Sequence, residues 1–432
     1  MSKPLNPWSS DDEKEHYPSV LEWWCTEGFI TDSKNRHKWS YKGSFSEWCT
    51  KEKHHGSTYD FTLFNLHNKT HLSQYIRDDT TKLDVTFDDK GTIITHWDTS
   101  FLTGRYPVYS LRYENIENHL TLELDYQACT FPHWITQDIT GGYLPMGLGF
   151  YRYGFIPRNT IQGTLTIEDK SYSVDGIGYY EHVWGDFSYK NPLSNLSYLK
   201  KSLSIYQKLI GWWISNHQPR IPDTIKFYSE NNPLGYDWIW GILDNGWSFF
   251  LGNILFWIAE GPIFGTLILT KDGKHYKEFC DVSYKYSSIQ QSDHYDFVYP
   301  TGIDIIARND QETLSMHCEM TMKAREFVTP LHQNRWMAFV ICEAPGTITG
   351  IHTKKNQQTI LKGDCKIEPQ RQVSQKGHNE ISFDFIKPPR GIGIQVTLDS
   401  HYLKKYLNAS VIFTPFPQWH MKIKRKLPIE PI

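Results

Sequence analysis

The chain has 432 residues, more than one ordinary hydrophobic core holds, so about three domains or two larger β domains are expected. Its 45 Lys and Arg residues nearly balance its 48 Asp and Glu residues. This argues against nucleic acid as a bulk partner, because phosphate binding draws on concentrated positive charge. Charged residues at 22% and hydrophobic residues at 39% exclude a largely disordered chain. Aromatic residues reach 15%, which is typical of large β cores and also of cavities for apolar ligands.

The cysteine pattern and the N-terminal sequence indicate a reducing, cytoplasmic setting. The 7 cysteines are an odd number without a C-x-x-C pair, so they are expected to be small core residues. The first 16 residues contain no apolar stretch typical of a secretory signal. The longest apolar stretch, Leu251 to Leu269, is interrupted by Glu260, Gly261 and Pro262, so no transmembrane segment is predicted.

Short strands separated by turns account for nearly all of the sequence pattern. Residues Leu122 to Tyr126 alternate apolar and polar side chains, as a half-buried strand does. The turn Asp244-Asn245-Gly246 separates two apolar runs and predicts a β-hairpin. Because strands at this spacing without long β–α alternation are typical of sandwiches and barrels, the predicted fold class is all-β.

One segment, from Asn195 to Asn216, follows a helical pattern instead. Its apolar residues recur every three or four positions, and Lys200, Lys201 and Lys208 lie between them. We interpret it as a linker helix that packs across a domain junction. The alternative is a basic amphipathic helix, residues 196–213, that makes peripheral contact with a membrane surface. The apolar stripe comprises Leu196, Leu199, Leu203, Tyr206, Ile210 and Trp213.

Sequence motifs for metals and nucleotide cofactors are missing. H-E-x-x-H, G-x-S-x-G, the P-loop and G-x-G-x-x-G are all absent from the sequence. The sequence therefore predicts no metal site and no cofactor.

The segment from Gly176 to Gly185 combines unlike residues in a way that core packing does not require. If it is a strand, Tyr180, His182 and Trp184 share one face and Glu181 points to the other. Glycines on both sides permit a close backbone approach. This segment is the first candidate site.

The second candidate is the segment from Tyr236 to Trp240. In a strand, Tyr236, Trp238 and Trp240 share one face, so Asp237 points away from them. Asp237 either ends a turn beside core tryptophans or supplies a carboxyl group to a site, and the segment by itself leaves both interpretations open.

Three motifs occur in an order that is found in one protein family. They are Leu21-Glu22-Trp23-Trp24, the stretch from Tyr179 to Gly185, and Tyr236-Asp237-Trp238. Together they resemble the AttH/CrtC-like family, which includes carotenoid 1,2-hydratase and, more distantly, fungal decalin-forming pericyclases. The resemblance covers roughly residues 20 to 350, with Glu181 in place of the signature aspartate and Cys25 in place of an aromatic residue.

The resemblance implies two lipocalin-like antiparallel β-barrels in tandem, with a short helical insertion between them. On this basis we expect an N-terminal barrel over residues 1–190 and a linker with the amphipathic helix over residues 191–234. A C-terminal barrel with a C-terminal extension is expected over residues 235–432.

The resemblance also implies a chemistry. Hydrating or cyclising an unactivated alkene needs a dry general acid, and aromatic faces that stabilise the resulting cation. The family's proton donor corresponds to Asp237 here, with His182 expected to hold its orientation or protonation state, and Glu181 is an alternative acid. The expected substrate-binding residues are Trp23, Trp24, Tyr180, Trp184, Tyr236 and Trp238.

Three functions remain open at this point. The first is an acid-initiated hydratase or cyclase acting on a hydrophobic polyene or isoprenoid. The second is a pericyclase, which folds a polyene and polarises a carbonyl group with hydrogen-bond donors. The third is a non-catalytic carrier of a lipid or pigment. A buried carboxyl group with a raised pKa distinguishes the first function from the other two.

Overall fold

The structure is a computed structural model in which strands predominate. It describes residues 8–16, 21–49, 55–79, 83–146, 149–185, 196–216, 224–228, 236–257, 262–279, 281–295, 297–329, 337–355, 357–374, 379–386, 392–400, 405–413 and 422–425. Within these ranges the strands form three antiparallel sheets, accompanied by two α-helices and two short 3-10 helices, Ser10–Glu13 and Ile116–Asn118.

The first sheet is formed by strands from the N-terminal part of the chain. Its strand order is β4-β3-β2-β1-β13-β12-β9-β8-β7-β6-β5, and β10 and β11 both pair with β12. The sheet curls around a core rich in Trp, Tyr and Leu. Its strands are β1 Leu21–Asp32, β2 Lys38–Cys49, β3 His55–Asn65, β4 Thr70–Asp78, β5 Asp84–Phe87, β6 Ile93–Trp97, β7 Ser100–Arg105, β8 Val108–Asn115, β9 Leu120–Ala128, β10 His133–Trp134, β11 Tyr143–Met146, β12 Gly149–Ile167 and β13 Lys170–Gly185.

The second sheet repeats this architecture further along the chain. Its order is β18-β17-β16-β15-β24-β23-β21-β20-β19, with β22 paired to β23, and it curls around a second core. The predicted hairpin is confirmed, because β15 and β16 pair antiparallel across the turn at Gly246. Its strands are β15 Tyr236–Leu243, β16 Ser248–Trp257, β17 Pro262–Thr270, β18 Tyr276–Phe279, β19 Asp281–Gln291, β20 Val298–Arg308, β21 Glu312–Met320, β22 Arg325–Thr329, β23 Met337–Lys354 and β24 Gln357–Ser374.

A third, five-stranded sheet joins the linker region to the end of the chain. Its order is β14-β25-β26-β27-β28. Strand β14, Thr224–Tyr228, pairs with β25, so a strand from the region before the second sheet lies beside strands that follow it. The other strands are β25 Asn379–Ile386, β26 Ile392–Ser400, β27 Lys405–Phe413 and β28 Lys422–Arg425.

The first and second sheets pack against each other through a third apolar cluster, which we call the barrel interface. Strands β1, β12 and β13 contribute from one side and β15 and β16 from the other. The buried members are Phe29, Ile135, Leu144, Phe150, Tyr151, Tyr153, Phe155, Tyr179, Val183, Ile205, Leu209, Trp238, Trp240, Ile242, Phe250 and Ile268. The predicted all-β fold of two tandem lipocalin-like barrels with a helical insertion is confirmed.

The helical insertion is α2, Leu196–Asn216, and a single turn, α1, Gln137–Thr140, lies beside it. Helix α2 also contacts β11 and β12. No helix among the described residues is both long and apolar enough to cross a membrane.

The face of α2 that packs is not the predicted one. Ser202, Ile205 and Leu209 are buried, whereas Leu203 is 53% and Ile210 is 40% exposed. The expectation that the stripe through Leu203 and Ile210 packs on a barrel is therefore wrong. On the face that packs, the Ser202 hydroxyl donates a hydrogen bond to the carbonyl of Gly149 (2.8 Å), and Ile205 and Leu209 join the barrel interface.

Candidate functional site

The alternation of side chains along β1, β13 and β15 divides the predicted site residues among three environments. Tyr180, His182 and Trp184 face the core of the first barrel, and Glu181 faces the barrel interface. This agrees with the predicted faces of the segment from Gly176 to Gly185.

The remaining predicted residues also alternate between the two faces of their strands. Trp24 lies in the core of the first barrel and Trp23 at the barrel interface, together with Tyr236 and Trp238. Asp237 points the other way, toward tyrosines of the second barrel. The predicted site residues therefore form three separate groups rather than one.

Glu181 lies at the centre of a hydrogen-bonded aromatic group at the barrel interface. Its Oε1 accepts a hydrogen bond from the indole N–H of Trp23 (2.8 Å), and its Oε2 accepts from the hydroxyls of Tyr179 (2.8 Å) and Tyr153. The indole N–H of Trp238, from the second barrel, donates to the Tyr153 hydroxyl (2.8 Å). Both barrels thus contribute to the surroundings of one carboxyl group.

Burial raises the pKa of Glu181 and outweighs the hydrogen bonds from Tyr153, Trp23 and Tyr179, which lower it. The negative charge of Glu368 adds to this rise. Among the described residues no cationic side chain forms an ion pair with Glu181. Its surroundings therefore favour the protonated carboxylic acid relative to a carboxyl group in water.

Aromatic rings enclose the inner side of this carboxyl group. The Tyr153 ring packs edge-on against Phe250 (5.5 Å between centroids), and Tyr179 packs edge-on against Trp238 (5.5 Å). Phe155 stacks on Phe250 at 4.7 Å. Ring faces in such a group can stabilise a cation that forms nearby, since a desolvated cation–π contact contributes about 2 kcal/mol.

The outer side of the carboxyl group is less enclosed. Trp23 and Tyr236 are only half-buried and pack at the edge of the interface cluster. Because Trp23 contacts Oε1 of Glu181, this oxygen is the one on the more accessible side.

A buried ion cluster lies in the same interface, and we call it the interface ion cluster. Lys42 bonds to Glu368 and lies 3.2 Å from Glu343 and 3.8 Å from Glu27. Lys366 lies 2.7 Å from Glu343 and 3.7 Å from Glu27. All five residues are at most 7% exposed, so this group of charges joins the two barrels in an environment that water hardly reaches.

The interface ion cluster has three carboxyl groups for two ammonium groups. Burial raises the pKa of Glu27 to about 8, even though Lys366 and Lys42 oppose the rise. Burial acts in the same direction on Glu343, but Lys366, Lys42 and Arg325 lower its pKa to about 2. With a proton on Glu27, the carboxylates of Glu343 and Glu368 balance the two ammonium groups, which is how a buried group of this kind avoids an uncompensated charge.

Asp237 is held in an ion pair inside the second barrel. Its Oδ1 lies 2.8 Å from Nη2 of Arg371, and its Oδ2 accepts hydrogen bonds from Tyr284 (3.0 Å) and Tyr286 (2.5 Å). Burial by itself would lower the pKa of Arg371, but the Asp237 carboxylate raises it above its usual value. Asp237 therefore has a cationic partner within the described structure, unlike Glu181.

His182 makes different contacts from those expected. Its Nδ1 contacts the backbone carbonyl of Asp12 (2.8 Å) and its Nε2 contacts Oε1 of Glu22 (2.7 Å). The expected support of Asp237 by His182 is therefore wrong, because alternation places the two side chains in different barrels and both ring nitrogens have other partners. The ring of Trp24 stacks on His182 (4.8 Å between centroids).

A segment ahead of β1 completes this part of the first barrel. His16 stacks flat on Trp184 (3.7 Å between centroids, 6° between planes), and its Nδ1 lies 3.0 Å from Oε1 of Glu22. Burial would raise the pKa of Glu22, but the hydrogen bonds with His16 and His182 lower it overall. Nearby, Tyr180 donates a hydrogen bond to the buried Glu13 (3.0 Å).

Sequence reasoning missed several of these partners. Tyr153 and Tyr179 could have been found, since Tyr151, Tyr153 and Phe155 alternate in one strand and Tyr179 lies two residues before Glu181. Arg371 carried no local signal, because it lies 134 residues after Asp237.

No protein-family model and no curated protein matches this sequence. Solved structures match its fold. A protein assigned as AttH from Nitrosomonas europaea superposes with a TM-score of 0.57 at 14% identity, over 85% of this chain and 98% of that chain. Kievitone hydratase from Nectria haematococca gives a TM-score of 0.55 at 11% identity, over 87% and 96%. These likenesses confirm the fold that the resemblance to the AttH/CrtC-like family implied.

Proposed function

We propose that this protein, which shares its tandem-barrel fold with a protein assigned as AttH and with a hydratase, is an enzyme. In this proposal it protonates an alkene of a hydrophobic polyene or isoprenoid without a cofactor, and Glu181 is the acid. The observation that carries the proposal is the carboxyl group of Glu181, buried among aromatic rings without a cationic partner in the described structure.

The first step transfers the proton from Glu181 to one alkene carbon. The O–H bond of the carboxylic acid breaks, a C–H bond forms, and the neighbouring carbon becomes a cation. The rings of Tyr153, Tyr179 and Trp238 lie around the carboxyl group and are the residues expected to stabilise this cation. Burial raises the pKa of Glu181, which favours the protonated form that alkene protonation requires.

The second step removes the cation. In a hydratase, water adds to the cationic carbon and then loses a proton, which returns to the carboxylate of Glu181. In a cyclase, a second alkene of the substrate adds instead, and the new cation then loses a proton from a neighbouring carbon to the carboxylate of Glu181. Hydration is the first choice, because a protein named as a hydratase shares the fold.

The substrate class follows from the composition of the barrel interface. Its buried members are almost all aromatic or aliphatic, so an apolar chain fits it better than a charged metabolite. The half-buried Trp23 and Tyr236 are the residues expected to meet this chain first.

The test uses deuterium from solvent. Full-length protein is extracted for co-purified lipophilic compounds, which mass spectrometry identifies, and the recovered alkene or geranylgeraniol is then incubated with protein in D2O. We expect a product with one new C–D bond. Glu181→Gln should lower turnover by about 1,000-fold, the usual scale of general acid catalysis, while the melting temperature stays nearly unchanged.

The matched control is Glu278→Gln. Glu278 is a half-buried carboxyl group whose pKa is raised by burial to about 7, but it accepts a hydrogen bond from Thr266 in the second sheet. This variant should keep its activity. A cyclised product without deuterium would favour a pericyclase, and co-purified lipid without turnover would favour a carrier. Loss of activity in Asp237→Asn at unchanged stability, with Glu181→Gln active, would give the acid's role to Asp237.

A further inference from the structure

Three side chains in the first barrel place potential metal ligands around one point. They are Nδ1 of His16, Nε2 of His182 and a carboxylate oxygen of Glu22, and all lie within 4.8 Å of one another. The two nitrogens lie 3.0 Å and 2.7 Å from the same oxygen, Oε1 of Glu22. Ligands of a tetrahedral zinc ion are about 3.3 Å apart, given bonds of about 2.0–2.1 Å. Small side-chain movements would therefore open a coordination site.

Each ring nitrogen of His182 lies next to an oxygen atom. Its Nδ1 faces the carbonyl oxygen of Asp12 and its Nε2 faces the carboxylate of Glu22, so both nitrogens face acceptors. The side chain is completely buried. A cation between Nε2 and the carboxylate would receive a lone pair from each of these two groups.

We propose that His16, Glu22 and His182 bind a divalent transition-metal ion of the zinc class. Two imidazole nitrogens and one carboxylate oxygen form a ligand set that such ions accept, with further positions left for water or another carboxylate. This site is separate from Glu181, whose side chain points to the barrel interface.

The surroundings orient the ligands as metal sites usually do. The hydrogen bond from His182 Nδ1 to the carbonyl of Asp12 fixes the ring and directs Nε2 toward Glu22, a common arrangement around metal-binding histidines. Stacking on Trp184 fixes the ring of His16, and stacking on Trp24 fixes that of His182. These contacts restrict the orientations of both imidazole rings.

The charge around the three ligands and their access to solvent also suit the binding of a cation. Glu47 lies directly opposite Glu22 in the pairing of β1 with β2, and it contacts Glu15, so three carboxyl groups are close together. The His16 side chain is 24% exposed, which gives an ion a route from solvent to the buried Glu22 and His182.

The test uses Co²⁺ and Zn²⁺ with the full-length protein after treatment with a chelator. We expect one Co²⁺ per chain with visible absorption bands of low coordination number, displacement by Zn²⁺, and a higher melting temperature in Zn²⁺. His16→Ala should weaken Zn²⁺ binding at least about 100-fold, since even outer partners of metal ligands cost about 10–100-fold when removed.

The control is His317→Ala. His317 is a half-buried histidine that contacts Asp304 and Glu319, so it is a competing site near the surface. This variant should bind the ion as the natural protein does. Binding that is undetectable, or equal in the natural protein and His16→Ala, overturns the proposal, as does binding lost only in His317→Ala. If His16→Ala lowers the melting temperature without metal, Glu22→Gln provides the same comparison.

Discussion

Asp237 and Arg371 show at the residue scale what a buried charge needs. Both side chains are nearly inaccessible, at 1% and 4% exposure. Asp237→Asn removes the negative charge and leaves the guanidinium buried without its partner. We expect the free energy of unfolding to fall by about 3–5 kcal/mol, the usual cost of breaking such a pair from one side. Urea denaturation measures this loss.

Two further variants test whether the lost stability comes from the unpaired buried charge. Replacing both partners, Asp237→Asn with Arg371→Met, should recover part of the lost stability, because it removes both buried charges. Glu123→Gln, which breaks the exposed pair with Arg112, should change stability by less than about 1 kcal/mol. An Asp237→Asn variant as stable as the natural protein would mean that the pair does not stabilise the second barrel.

At the scale of the element, helix α2 has one buried and one exposed apolar face. Leu203 and Ile210 are exposed, and Lys200 and Lys208 are exposed as well. This supports peripheral membrane contact through residues 196–213 as a proposal, since apolar side chains can enter the interface while lysines meet anionic headgroups, each contributing about 1 kcal/mol. We expect binding to phosphatidylserine-containing vesicles that Leu203→Glu with Ile210→Glu abolishes at unchanged melting temperature.

A substitution on the buried face of the same helix serves as a control for the substitutions on its exposed face. Leu209→Ala should lower the free energy of unfolding by about 2–5 kcal/mol, as a buried large-to-small change does, because Leu209 packs in the barrel interface. Its vesicle binding should be unchanged below the unfolding temperature. Absence of vesicle binding by the natural protein at every lipid composition contradicts the membrane proposal.

At the scale of the whole molecule, the interface ion cluster makes stability depend on pH. The pKa of Glu27 is raised from 4.5 to about 8, so between these values the folded protein holds a proton that the unfolded chain has released. Stability should therefore fall as pH rises from about 5 to about 8, by at most about 1.4 kcal/mol per pH unit for this group. Urea denaturation at pH 6 and pH 8 measures the slope.

Glu27→Gln isolates this contribution. It mimics the neutral carboxyl group, so the slope should become shallower. It should not vanish, since burial also raises the pKa of Glu47 to about 8 and that of Glu278 to about 7. Equal slopes for the variant and the natural protein would contradict the assignment of the proton to Glu27.

Patterns that depend on near neighbours were predictable from the sequence. The alternation of side chains along a strand correctly predicted that Glu181 and His182 lie on opposite faces. The turn residues predicted the hairpin at Gly246, and the helical spacing of apolar residues predicted α2. What the sequence could not give is the partner that each face meets. Lys42 and Glu368 are 326 residues apart, and no local pattern indicates their contact. The side of α2 that packs also meets distant residues, since the Ser202 hydroxyl bonds to the carbonyl of Gly149 and Ile205 and Leu209 pack in the barrel interface.

The division of β13 between two environments also limits how this gene can change. Successive residues of the strand serve the first barrel and the barrel interface in turn, so inserting or deleting one codon would exchange the surroundings of Glu181 and His182 and of every residue beyond. Substitutions can alter one environment while leaving the other intact, but changes of length alter both. Descendants of this gene should therefore show no insertions or deletions within residues 176–185. A library of single-codon deletions there should yield no folded protein.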